Sequence, residues 1–322
     1  MVNHENWCIV GVLMAGLMSA TASAQTTQKA AVPDAASAAQ HGIDLATTGD
    51  CKDALPVLKK AIPRVTDKQL KYSSLMASVR CAMSLNDVQT ALDELLILNR
   101  EYRGDPETLY VTTHFFSELA DRASQELAAT APTSHQAHEL NAEAFESQEK
   151  WDEAAAEYYK ILEAEPNLPG IHYRLGRILL VRPATATTTQ DATKEFEAEL
   201  KIDPTNASAE YALGEVARQG QQWDNAIGHY SRAVRLDQGF LEAFLGLGMS
   251  LNAVGKYSDA VAPLEKYVKM QPPDPAGHYQ LALAYARVGR KSEADQQMTL
   301  QREAEARVVR GASRTQEKVL PQ

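Results

Sequence analysis

A spacing of 34 residues constrains this chain more than any other feature. In GQQWDNAIGHYSRAVRLDQG, residues 220–239, Trp223, Ala226, Tyr230 and Ala233 fall three, four and three apart. They therefore lie on one stripe of a helix. Thirty-four residues further on, Trp223 maps to Tyr257, Ala226 to Ala260 and then Ala294, and Tyr230 to Leu264 and then Met298. Gly214 maps in the same way to Gly248 and then Ala282. Going backwards, Ala226 and Tyr230 step by 34 to Ala192 and Phe196, whereas Gly214 steps by 38 to Gly176, and the four extra residues fall between those helices in the Pro- and Thr-rich stretch VRPATATTTQ. One unit further back, Gly176 steps by 34 to Ala142, and Ala192 and Phe196 step by 38 to Ala154 and Tyr158, in a helix that opens on Trp151.

The period has a mechanical meaning: two helices per unit, with small and large positions alternating between them. Gly or Ala in the first helix lets the second approach closely, and Ala226 and its equivalents do the same from the other side. The aromatic residues fill the space between. Unit ends also recur, as EAEPN, KIDPT, RLDQG and KMQPP. A proline there stops the second helix, because it has no N–H to continue the ladder. Gly220, Gly255 and Gly289 fall at the turn inside the unit, where a left-handed residue is expected to end the first helix.

At these residues the chain resembles the tetratricopeptide repeat (TPR) family. LGEVARQGQQWDNAIGHYSRAVRLD and LGMSLNAVGKYSDAVAPLEKYVKMQP carry the resemblance most closely. Regular units are expected at about 135–168, 169–206, 207–240 and 241–274, with a fifth, 275–308, running into a charged tail. The stretch 34–134 is more divergent. HGIDLATTGDCKDALPVLKKAI fits one unit, with Gly42, Ala54, Leu58 and Ala61 in phase. Residues 69–105 fit another, shifted by about three, and 106–134 read as a shortened helix pair without a turn glycine. The resemblance implies an all-α fold: a right-handed α-α superhelix of about seven to eight helix pairs, whose first helices line a concave face.

Outside the repeats lie the two ends. Residues 1–24 combine an apolar run, Cys8 to Met18, with Ala22-Ser23-Ala24, which reads as a secretory signal cleaved after Ala24. The protein is thus expected to be exported, periplasmic or secreted, with no stable membrane span after cleavage, because the apolar run is short for a bilayer. Residues 25–33 read as a linker and 309–322 as a polar tail. Neither is long enough for a second domain, so no enzyme and no cofactor are expected. The formal net charge of −10 argues against a nucleic-acid partner, which calls for a basic face.

Candidate reactive residues favour packing over chemistry. His135 and His138 are three apart with Glu139 near, but no cysteine accompanies them and the ligand count falls short of a metal set. His172 and His278 occupy equivalent repeat positions, which points to packing between helices. His229 adjoins the core position Tyr230 and is read as structural or solvated. Cys51 and Cys81 remain after cleavage, either as a disulfide or as two buried thiols. The resemblance puts both at one edge of the superhelix, which makes a bridge geometrically reasonable.

The same resemblance assigns first-helix positions to the groove. They carry Glu139, Glu143 and Glu146, then Tyr173, Arg177, Leu180 and Val181. Tyr211, Glu215 and Arg218 follow, then Leu245, Met249 and Asn252, then Tyr279, Leu283 and Arg287. Aromatic residues and arginine are the composition of binding hot spots. Tyr173, Arg177, Tyr211, Arg218, Tyr279 and Arg287 are therefore the expected anchors for a partner protein or peptide. The Lys and Asn pair with which some TPR domains hold a terminal carboxylate is missing from these positions. The resulting expectation is a non-enzymatic scaffold of the cell envelope that binds in its groove. The alternative is a structural, self-associating array acting through its ends.

Overall fold

Each segment that carries the small-and-aromatic stripe is helical, because its apolar positions recur at helical spacing and a polar cap opens many of the helices. A computed structural model of the chain describes residues 34–182 and 187–319. The expected signal segment and linker lie outside the described residues. Fifteen α-helices and one short 3-10 turn, Ile62–Arg64, make up the described residues. They cluster into two compact units that divide between Ala120 and Asp121.

The first unit contains α1 (Ala35–Thr47), α2 (Cys51–Ala61), α3 (Lys68–Ser84), α4 (Val88–Glu101) and the start of α5 (Pro106–Thr130). Asp34, Asp67 and Asp87 open α1, α3 and α4 by accepting a bond from the backbone N–H three residues on. This satisfies donors that a helix start leaves unpaired. Leu58, Leu75, Val79 and Leu98 form a buried core, on which Val111 and Phe115 of α5 also pack. Cys51 at the start of α2 and Cys81 near the end of α3 are joined by a disulfide, with Cα atoms 4.9 Å apart.

The stretch 106–134 does not form the expected helix pair. It holds a single helix of 25 residues, α5. No Gly or Pro interrupts the chain between Glu107 and Thr130, so nothing in the sequence turns it back. The division into compact units falls inside this helix, between Ala120 and Asp121.

The second unit continues with α6 (His135–Ser147), α7 (Trp151–Ala164), α8 (Ile171–Val181), α9 (Thr188–Ile202) and α10 (Ala207–Gln219). It ends with α11 (Trp223–Leu236), α12 (Leu241–Ala253), α13 (Tyr257–Met270), α14 (Pro275–Arg287) and α15 (Lys291–Val319). Pairs α6/α7, α8/α9, α10/α11, α12/α13 and α14/α15 pack closely, and each second helix packs on the next first helix. Successive first helices also touch, α8 with α10, α10 with α12 and α12 with α14. No comparable packing joins α7, α9, α11 and α13, so the first helices form the inner layer of this unit. The last helix runs on to Val319, through most of the stretch expected as a polar tail.

Tyr230 shows why the period is kept. Its side chain is completely buried. A Cβ on Gly214 of the same helix pair would lie 2.7 Å from its ring, and one on Gly246 of the next pair 2.6 Å from it. The ring thus fills a slot bounded by two glycines, and any side chain there would displace it. Phe196 stands in the same relation to Gly176, where a Cβ would come within 2.6 Å. Ala226 and Ala233, one turn away on either side of Tyr230, are also fully buried.

The turn residue differs from expectation in one unit. Gly255 and Gly289 adopt left-handed φ values of 76° and 85°. Gly220 does not; its φ is −77°, and the left-handed residue is Gln221, with φ 56°. Counting by 34 from Gly255 lands on Gln221, so geometry follows repeat position rather than residue type. A left-handed glutamine costs on the order of 1–2 kcal/mol relative to glycine.

Candidate functional site

The first-helix face of the second unit holds the six expected anchors, in three different states. Tyr173 is half-buried on α8, with its ring 6.0 Å from that of Phe196. Arg177, one turn on, lies over the Tyr173 ring with its guanidinium 6.0 Å from the centroid. Tyr279 on α14 is 50% exposed, which leaves its ring open to a ligand. Arg287, at the end of the same helix, is exposed and lies over Tyr257 of α13 at 5.7 Å. Among the described residues, no ion pair holds Arg177 or Arg287. Both cations therefore rest on an aromatic face with hydrogen-bonding capacity to spare.

Tyr211 and Arg218 are engaged inside the protein. Tyr211 packs against Phe240 at 4.8 Å and Tyr230 at 5.9 Å, and burial pushes its hydroxyl up to about 12. Arg218 makes a forked pair with Glu215, Nε to Oε1 at 3.2 Å and Nη2 to Oε2 at 2.6 Å. Glu215 also accepts a bond from the Tyr230 hydroxyl. Burial alone would push the Glu215 carboxyl up, but the bonds from Arg218 and Tyr230 outweigh it and hold the group below the ordinary range. The three residues form a connected network that ties Arg218 to Glu215 and the core ring of Tyr230.

The glutamates of α6 are engaged as well. Arg174 of α8 bridges Glu139 at 3.2 Å and Glu143 at 2.6 Å, and Glu146 accepts a bond from the Tyr158 hydroxyl at 2.6 Å. Sequence reading did not single out Arg174, because its partners lie 31 and 35 residues away. Leu245 and Met249 are half-buried, and Asn252 is buried, donating to the Gln280 carbonyl at 3.0 Å.

The histidines form a periodic clasp. His138 Nδ1 lies 2.6 Å from Glu157, His172 Nδ1 2.6 Å from Glu195, and His278 Nδ1 2.6 Å from Gln297. In the α10/α11 pair the order is reversed: His229 is on the second helix, with its Nδ1 2.8 Å from Glu210 of the first. His172 and His278 also bond backward through Nε2 to the carbonyls of Pro166 and Pro272, at 3.1 and 3.0 Å. The residues expected to pack between helices do so, and they tie each unit to the loop before it. His135 pairs separately with Glu165 at 2.8 Å. Among the described residues, no group of three or more His, Cys, Asp or Glu side chains is arranged to hold a metal ion.

A buried glutamate makes a second link between units. Glu199 of α9 is wholly buried and accepts bonds from the backbone N–H of Gly170 at 2.8 Å and of Tyr173 at 3.2 Å. It satisfies the open N-terminus of α8, which starts after a left-handed glycine and has no side-chain cap of its own.

Antiparallel helix pairs, a 34-residue step, and aromatic rings packed into glycine and alanine slots together define the fold. It is that of an α-helical repeat array in which each helix pair packs on its neighbours. The family model described as "Bacterial transcriptional activator domain" matches residues 214–304. Among solved structures, the chain is similar to a crystal structure of MamA protein, at 23% identity and a TM-score of 0.48, covering 55% of this chain and 94% of that one. It is also similar to YrrB, described as a TPR protein with an unusual peptide-binding site, at 21% identity and a TM-score of 0.49, covering 57% of this chain and 93% of that one. A MamA from Desulfovibrio magneticus RS-1 gives 20% identity and a TM-score of 0.48, with 53% and 95% covered. No curated protein matches the chain by sequence. Among the described residues, no helix is long and apolar enough to cross a membrane.

Proposed function

We propose that the protein is a non-enzymatic scaffold that captures a partner protein or peptide along the first-helix groove of residues 135–308. The observation that carries this reading is the pair of stacked, unpaired arginines, Arg177 over Tyr173 and Arg287 over Tyr257, with the open ring of Tyr279 on the same helix as Arg287. Such side chains present apolar area and charge-assisted donors at little ordering cost. The inner-layer packing of α8, α10, α12 and α14 supports it by holding them on one preorganised surface. Export to the cell envelope, where the Cys51–Cys81 bridge would persist, is part of the same proposal. A self-associating array acting through its ends is the competing reading.

The test is capture of partners from an envelope extract by the parent and by a triple variant, Arg177→Ala, Tyr279→Ala, Arg287→Ala. These three are exposed, so the variant is expected to keep the parent's circular dichroism and melting temperature. A partner held by the parent and lost by the folded variant is the expected result. A partner held equally by both would remove the groove from the function. Concentration-dependent oligomers in both, with no partner, would favour the array ends.

A further inference from the structure

A cavity of about 580 Å³ lies on the second-helix side of the second unit, between α9 and α11, with α10 as its floor. Departures from the repeat account for it. The first residue of the second helix is Trp151, Trp223 and Tyr257 in three other pairs, whereas at that place α9 carries Thr189. On the facing first helix, Phe145, Leu179, Leu251 and Tyr285 share one repeat position, and there α10 carries Ala217. Thr189 and Ala217 both line the cavity. Two large side chains are thus missing from facing walls of one junction.

The repeat also says what shape the missing group has. In the α13/α14 junction the aromatic is present: Tyr257 lies against Arg287 at 5.7 Å. Sixty-eight residues earlier, two repeat steps, the same two places are Thr189 and Gln219, which both line the cavity. The space therefore corresponds to one that an indole or phenol ring occupies elsewhere in the same array. Its floor is apolar at Leu213, Val216 and Ala217, its rim carries the amides of Gln190, Gln219, Gln222 and Asn225, and Glu197 and His229 also stand on its wall. No lysine or arginine lines it, and the Glu197 carboxylate opposes an anion. An apolar floor with polar groups around the rim, in a volume of a few hundred Å³, is compatible with a ligand pocket. It matches a ring that carries one polar edge, as tryptophan and tyrosine do.

We propose that this cavity is a binding site for an aromatic side chain, tryptophan or tyrosine, presented by a partner polypeptide. The ring takes the place of the residue that Thr189 replaces, and the rim amides bond the indole N–H or phenol hydroxyl. The site is separate from the first-helix groove and does not depend on the groove's function.

The probes are N-acetyl-L-tryptophanamide, N-acetyl-L-leucinamide and free indole, titrated into the full chain by ligand-observed NMR. The variants are Thr189→Trp and Ala217→Leu, restoring the aromatic that three other pairs carry at the first place and a large side chain that four carry at the second. The parent is expected to bind the tryptophan amide saturably at millimolar concentration, the range expected for so few contacting atoms. Either folded variant is expected to weaken that binding at least tenfold. Should Thr189→Trp fail to fold, Ala217→Leu decides. The proposal is overturned by absence of saturable binding to the parent, by equal affinity for the leucine amide, or by unchanged affinity in a folded variant. Binding of indole without binding of the tryptophan amide would overturn the polypeptide source and leave a small aromatic ligand.

Discussion

Glu94 makes the first unit sensitive to pH in a way that one substitution exposes. Its carboxyl is 7% exposed, between α3 and α4, and receives one bond, from Ser78 Oγ to Oε1 at 2.9 Å. Its Oε2 is buried without a partner. Burial pushes the group from the ordinary 4.5 to about 7; the Ser78 bond and the charge of Lys59 offset only part of this, and Asp87 and Asp93 add to it. The folded chain therefore keeps this proton at pH values where the unfolded chain has lost it. Stability falls as pH rises from 4.5 towards 7, and the loss is complete above 7. The whole effect is about 3 kcal/mol, of which about 2.5 kcal/mol falls between pH 5 and pH 8. Glu94→Gln mimics the protonated acid: it can accept from Ser78 and it places a donor where the acid places its O–H. The variant is expected to match the parent to within about 1 kcal/mol at pH 5 and to exceed it by about 2–3 kcal/mol at pH 8. The assay is urea unfolding at both pH values, read by proteolytic cleavage within residues 68–101. All other titrating groups are shared, so the difference between the two proteins isolates Glu94. Parallel pH profiles for parent and variant would refute the reasoning.

Two further perturbations test the packing and the cross-link. Gly214→Ala places a Cβ 2.7 Å from the Tyr230 ring and is expected to destabilise the second unit by about 1–3 kcal/mol; an unchanged urea midpoint in Trp223 fluorescence would contradict the slot described above. Joint replacement of Cys51 and Cys81 by alanine opens a loop spanning 30 residues and is expected to cost the first unit about 3–4 kcal/mol, measured by cleavage within residues 51–81 against urea. A cost below about 1 kcal/mol would mean that the unfolded first unit retains its own order.

How much of this was legible in the sequence differs by residue. Ala226, Tyr230 and Ala233 declared themselves by spacing, because a repeat buries each face against its immediate neighbours and so writes its core locally. Pro166, Pro204 and Pro272 likewise marked the ends of α7, α9 and α13. The turn was misplaced by one residue, from Gln221 to Gly220, because residue type was followed where repeat position governed. The shortened helix pair expected at 106–134 failed for lack of any residue to turn the chain. Thr189 was legible in principle: the aromatic row through Trp151, Trp223 and Tyr257 passes through it, and the gap in the row was the available signal.

The sequence by itself determined that the chain is built of helix pairs and which residues fill their cores. Those properties follow from short-range periodicity, and each pair needs only its neighbours to bury its face. Tertiary structure decided what each polar side chain is free to do. Arg218 and Arg177 carry the same charge at similar places on α10 and α8, yet one is locked by Glu215 and Tyr230 and the other lies open over Tyr173. Likewise, Glu199 caps a helix 29 residues away from it in sequence, and Glu94 is left with an unpartnered oxygen. Hydrogen-bond partnership and burial depend on side chains brought together from different helices, and the repeat pattern carries no record of those meetings.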